Sequence, residues 1–180
     1  MTFHQNNKNF TISYNQDKNQ FISFYDYLPS MYINNGQYFI TTNPNITSIY
    51  RQYEGNYNKF YEQHYPSLIT LNVNPEANLD TVFDNIMYKS EVYLNDIDQP
   101  NKTLSKVRLY NEYQDSGIVP LIVGRNSNLR RKFRDWNAIL PRNQNSRERI
   151  RNPWVKLVLQ FDNTSNYKLI LHDVIIFYSV

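Results

Sequence analysis

Residues 154–180 read WVKLVLQF, then DNTSN, then YKLILHDVIIFYSV. In the first string Val155, Leu157, Leu159 and Phe161 alternate with Lys156, Val158 and Gln160. A period of two puts four apolar side chains on one face of a strand and leaves no helical stripe. The third string is longer, β-branched and aromatic, and reads as a second strand over Tyr167–Val180. Between them Asp162-Asn163-Thr164-Ser165-Asn166 are all turn formers, so the two strands are predicted to pair as an antiparallel hairpin.

The rest of the chain repeats this grammar. Ser67–Val73 alternates in the same way, and Ser105–Gln114 places Val107 and Leu109 on one face. Thr81–Leu94 is mixed: Val82, Phe83, Ile86 and Met87 follow helical spacing while Tyr88–Leu94 alternates, which predicts a short turn or helix running into a strand. Nearer the start, Phe10–Tyr14 and Phe21–Tyr27 flank a polar turn at Asn15–Gln20. Met31–Ile33 and Gln37–Thr41 flank Asn34-Asn35-Gly36, residues that accept the positive φ of a tight hairpin turn. The stretch 42–66, with Tyr50, Tyr53, Tyr57 and Tyr61, reads as an irregular arm.

Composition supports the same fold class. The chain holds 26 Asn against two Ala, with 16 Tyr and 10 Phe, so it is poor in helix formers and rich in strand and turn formers. Roughly eight strands with short connections make an all-β protein, an antiparallel β-sandwich or barrel-like domain with a long basic loop. At 180 residues one domain, 1–180, is expected, with 119–152 as a long basic connection within it. An AT-rich genome would enrich the same Asn, Lys, Tyr and Ile codons, so composition alone does not argue for recognition.

Several chemistries are excluded. Without cysteine there is no thiol nucleophile, zinc finger, Fe–S site or disulfide framework. His4, His64 and His172 are not spaced as metal ligands or as members of a triad, and His172 and Asp173 fall on opposite faces of a strand. The carboxylates Asp17, Asp26, Asp80, Asp96, Asp98 and Asp162 sit beside turns, and Asp96 and Asp98 lack the glycine and distal glutamate of a calcium loop. No phosphate-binding glycine loop or nucleophile elbow is present. No run reaches the ~20 apolar residues of a membrane helix, and the polar N-terminal stretch has no signal-peptide core. A non-enzymatic protein without cofactor, metal or membrane is expected.

Charge is segregated along the chain. Residues 1–99 carry five Lys/Arg against ten Asp/Glu, and residues 100–180 carry fourteen against six. Nine of the cations lie between Arg125 and Arg151, facing only Asp135 and Glu148. Such a segment, interleaved with Phe133, Trp136 and Trp154, suits either phosphate neutralisation with base stacking or protein contact. The embedded Asp135 and Glu148 favour ion-pair networks between subunits, with an acidic half meeting a basic half on a neighbouring copy. Arg130, Arg131, Arg134, Trp136, Arg149, Arg151 and Trp154 are the expected interface residues, whereas Tyr25 and Tyr27 belong to core or rim.

Five strings carry a resemblance. Phe21–Ser30 (FISFYDYLPS), Gly36-Gln37-Tyr38-Phe39 and Pro66-Ser67-Leu68-Ile69 are similar to the C-terminal region of the tail stabilisation, or muzzle, proteins of crAss-like bacteriophages. Arg149-Ile150-Arg151-Asn152-Pro153-Trp154 and Leu169-Ile170-Leu171-His172-Asp173-Val174 resemble the closing segment of those proteins. The resemblance implies a virion structural protein, made in the host bacterial cytoplasm and placed in the tail. It further implies a homo-oligomeric ring around the DNA exit channel, contacts with other tail and portal-proximal proteins, and non-specific contact with DNA. Family members are much longer, so this chain corresponds to a C-terminal part, without the propeller or platform portions. A receptor- or glycan-binding β-domain of a phage tail is the alternative, with the Tyr50–Tyr61 cluster as its site.

Overall fold

A computed structural model describes every residue except Met1, Asn6, Asn7, Asn35, Gln37 and Asn126. Asn35 and Gln37 of the expected second hairpin, and three residues of the polar N-terminal stretch, therefore lie outside the described residues. Among the described residues there is no helix, and the sheets are antiparallel throughout. The protein is all-β, as its composition requires. By internal contacts the chain divides into two compact units, 1–65 and 66–180.

Among its described residues the first unit contains eight strands. β1 (Thr2–Gln5), β2 (Lys8–Asn15) and β3 (Gln20–Tyr25) form one sheet, and β4 (Met31–Asn34), β5 (Phe39–Asn43) and β6 (Ile46–Arg51) form another. β7 (Lys59–Phe60) and β8 (Gln63–His64) make a short ribbon. Both expected hairpins form, β2 with β3 and β4 with β5. The expected arm over 42–66 does not: β6 and the β7–β8 ribbon occupy it. Hydrogen bonds organise this region where alternation is weak. The buried Thr41 hydroxyl accepts from Gln52 Nε2 and from the Tyr61 hydroxyl, each at 2.7 Å.

The second unit contains β9 (Ser67–Val73), β10 (Thr81–Leu94), β11 (Ile97–Asp98), β12 (Lys106–Tyr110), β13 (Val119–Pro120), β14 (Leu129–Lys132), β15 (Asp135–Ile139), β16 (Arg151–Asn152), β17 (Val155–Phe161) and β18 (Lys168–Ser179). One sheet has the order β13-β12-β17-β9. The other is built on β10, paired with β18 along one edge and with β16, β15 and β11 along the other, with β14 outside β15. A single core drawn from both sheets makes this unit a sandwich: Phe83, Ile86, Tyr88 and Val92 of β10, Val107 and Leu109 of β12, Trp136 and Ala138 of β15, and Val155, Leu157, Leu159 and Phe161 of β17. Each such large apolar side chain contributes about 1.5–3 kcal/mol relative to exposure.

Three expectations are corrected here. First, β17 and β18 do not form a hairpin. β17 is bonded on both edges, to β12 and to β9, so no edge remains for β18, which instead runs beside β10 in the other sheet. The connecting residues make the crossing. Asn163 is 3% exposed, donates from Nδ2 to the Tyr167 carbonyl at 2.6 Å and accepts from the Tyr167 N–H at 3.0 Å. Lys106 of β12 holds Asp162 at 2.7 Å.

Second, Thr81–Leu94 is one continuous strand. Its helical spacing comes from a β-bulge: against β18, Phe83 pairs Tyr178 and Asn85 pairs Phe177, leaving Asp84 as the extra residue. One extra residue reverses the face of everything after it, so burial passes from Thr81 and Phe83 to Ile86, Tyr88, Ser90 and Val92.

Third, 119–152 is not one long connection. It contains β13, β16 and the β14–β15 hairpin, because Leu129, Trp136 and Ala138 supply enough buried apolar surface to seat two strands. Among roughly eight expected strands the short β7, β8, β11, β13 and β16 were not foreseen, since two residues carry no periodic signal.

Candidate interface and binding surfaces

The structure separates the expected interface residues by burial. Arg130, Arg131 and Arg134 lie on β14 and the turn that follows and are exposed, as are Arg149 and Arg151. Trp154 is half-buried just before β17. Trp136 is corrected: at 1% exposure it is a core residue of β15, and no partner can reach its ring. Alternation explains the difference. Trp136 pairs Arg131 across the ladder, on the inward face, and the Arg131 guanidinium lies 5.4 Å from the indole centroid at the sandwich edge. Arg131 also donates to the Pro100 carbonyl. Its charge thus lies over a ring and a carbonyl, where Arg130 and Lys132 face outward.

Folding also redistributes the charge that looked segregated. The first unit has four Lys/Arg and four Asp/Glu, and the second has fifteen and twelve. The acids of β10 belong to the same unit as the arginines and take up part of their charge. Arg149 donates to Asp84 at 2.6 Å, and Ser179 donates to the other carboxylate oxygen of Asp84 at 3.0 Å, which fixes the bulge. Among the described residues no carboxylate reaches salt-bridge distance of Arg130, Lys132 or Arg134, so the β14 hairpin keeps an outward cationic surface.

The residue that sequence reasoning underweighted is Phe133. Lys132 pairs Asp135, so Phe133-Arg134 is a two-residue hairpin turn, and Phe133 has φ 59° at its first central position. That position of a type II′ turn ordinarily takes glycine, because a side chain costs about 1–2 kcal/mol in the left-handed region. Phe133 is also 88% exposed. Basic residues stand on both sides of this exposed, strained aromatic. No local pattern marks Phe133, because the positive φ depends on the register of its hairpin.

Other ionisable groups serve the scaffold. His172 is the extra residue of a second irregularity, on β18, and its Nε2 lies 3.4 Å from Glu91, which also accepts from the Tyr93 hydroxyl at 2.9 Å. These contacts, the Tyr93 bond foremost, hold the Glu91 carboxyl below its usual range. Asp115 is held low mainly by its paired bonds from Arg108, and Asp162 mainly by Lys106. Among the described residues no group of three or more His, Asp or Glu could hold a metal ion, and no helix could cross a membrane. In the first unit, Tyr50, Tyr53, Tyr57 and Tyr61 line a cavity of about 560 Å³.

Residues 55–143 match the family model of the Crassvirus muzzle protein C-terminal domain. The chain belongs to this crAss muzzle family. It is 32% identical over 176 residues to the muzzle protein of Bacteroides phage crAss001, an alignment that covers 95% of this chain and 12% of that protein. The muzzle match includes the tyrosine-rich loop after Gly55, β10, and the β14–β15 hairpin. It stops before Arg149, Arg151 and Trp154, which lie within the longer alignment.

Proposed function

We propose that this chain is a non-enzymatic structural part of a phage virion, forming the C-terminal portion of a longer muzzle protein in the tail. The observation that carries this reading is the 32% identity to a muzzle protein over nearly the whole chain. In the assembled protein it sits in a ring near the portal and the DNA exit channel, after synthesis in the host bacterial cytoplasm. Its partners are neighbouring copies and other tail proteins. Arg130, Arg134, Arg149, Arg151 and Trp154, with Phe133 at the tip, form the contact surface. An exposed aromatic flanked by Lys132 and Arg134 has the composition of an interface hot spot, and Arg149 and Arg151 extend the surface from the other end of β10, beside Asp84 and Val82. The two tryptophans divide the work, Trp136 holding the hairpin from inside and Trp154 facing the partner.

Light-scattering mass of the 180-residue chain across concentration and salt, with and without short duplex DNA, tests this reading. Mass is expected to rise with concentration and to fall with salt, and Phe133→Gly is expected to reduce association. The same variant should stabilise the isolated chain by about 1 kcal/mol, because glycine carries no left-handed penalty. Phe133→Gly associating as strongly as the parent would remove the hairpin tip from the interface. Binding to DNA with log affinity falling about 0.9 per neutralised phosphate per log unit of salt would assign the cations to nucleic acid instead.

A further inference from the structure

A cavity of the first unit has no role in the reading above. Its volume of about 560 Å³ lies inside the ~300–1,000 Å³ usual for small-molecule sites. Its floor is rigid. Tyr27 and Tyr61 are buried, Phe60 stacks on Tyr27 at 4.4 Å, and Tyr50 meets Tyr61 edge-on at 4.9 Å. Its rim is open, with Tyr53 at 79% and Tyr57 at 50% exposure.

The loop that shapes the cavity is strained. Within ten residues Tyr53, Asn58, Tyr61 and Glu62 all hold positive φ, between 49° and 66°. Each such residue costs of order 1–3 kcal/mol and persists only where its surroundings impose it, which is the pattern of ligand-shaping loops. Here the Tyr61 bond to Thr41 and the Tyr65 N–H bond to the Asn58 carbonyl at 2.8 Å impose it.

The lining selects a ligand class. Its two cations, Arg51 and Lys59, are each paired with a carboxylate, Glu54 and Glu62, so the site has no net charge to offer a phosphate or a polyanion. Nor is it a purely apolar slot, because six of its seven rings are tyrosines. At neutral pH a phenol is un-ionised, so each of these tyrosines presents a hydroxyl that can both donate and accept. Flat ring faces beside hydroxyl and amide groups complement a molecule with an apolar C–H face and a rim of hydroxyls, which describes a pyranose.

We propose that this groove binds a neutral carbohydrate, with a pyranose stacked on Tyr53 and Tyr57 and its hydroxyls bonded to Asn56 and the surrounding phenols. The proposal stands independently of the assembly role. Saturation-transfer NMR on the 180-residue chain, with a panel of neutral gluco-, galacto- and manno-configured oligosaccharides, tests it. At least one saccharide should receive saturation. Tyr53→Ala should weaken its binding about tenfold, as loss of an aromatic anchor does. Tyr53→Phe, which keeps the ring, should retain most of it and guards against a folding defect in the alanine variant. Tyr113→Ala, an exposed ring of the other unit, should bind as the parent does. No signal from any neutral saccharide, or undiminished binding in a folded Tyr53→Ala chain, overturns the proposal, as does binding confined to charged sugars.

Discussion

Removing the Tyr88 hydroxyl should have an effect on stability that changes with pH. Tyr88 is 1% exposed on the inner face of β10, and its hydroxyl accepts from Thr103 at 3.1 Å, while Thr103 shares a second bond with Ser90 at 2.8 Å. In Tyr88→Phe the ring still fills the core and Thr103 keeps Ser90. The loss at neutral pH is one buried hydrogen bond, about 1 kcal/mol. Burial also raises the Tyr88 phenol well above its ordinary value of 10.0, so the folded protein keeps it neutral where the unfolded chain ionises. The stability linked to this raised value is therefore complete below pH 10 and lost as pH rises beyond it. The loss is about 1.4 kcal/mol for each pH unit. Phenylalanine has no such loss. The cost of the substitution should thus fall from about 1 kcal/mol at pH 8 to near zero, or slightly reversed, at pH 11. Urea unfolding followed by tryptophan fluorescence measures it cleanly, because both tryptophans lie in the second unit, and groups titrating in both proteins cancel in the difference. An equal cost at both pH values would show that Tyr88 ionises in the folded state without penalty, and would refute its shielded placement in the core.

Two further outcomes follow from the packing. In the Asp84–Arg149 pair, Asp84→Ala should cost about 1–2 kcal/mol through loss of the ion pair and the Ser179 bond, and a double-mutant cycle with Arg149→Ala should yield a coupling of about 0.5 kcal/mol in urea unfolding. Trp136→Ala should cost about 3–5 kcal/mol by circular-dichroism melts or denaturant titration, as expected of a buried ring. Trp136→Phe should cost much less, because the indole N–H has no acceptor among the described residues and its removal leaves no bond broken.

Strand identity was legible in the sequence wherever alternation was long. The seven residues of β9 were read with their observed ends, and β17 and β18 within a residue or so. Alternation is a local property, fixed by which side chains face a core, and it needs no knowledge of the partner. Pairing is different. Whether β17 meets β18 depends on which edges of β17 are already taken, and β12 and β9 take both. Likewise the apparent helical spacing in β10 was the trace of a bulge, which appears only when the register against β18 is known.

The candidate surfaces divide along the same line. Composition and charge located the arginine-rich segment and the tyrosine cluster, because those depend on residue type alone. They could not tell that Trp136 faces inward while Trp154 lies part-exposed at a strand start, that Phe133 is held in a glycine conformation, or that the acids of β10 would meet the arginines within one unit. The sequence by itself determined the all-β class, most long strands and the family. Tertiary structure decided sheet partners, two units, and which cations and rings reach solvent, because those follow from ladder edges and faces that exist only once distant segments are paired.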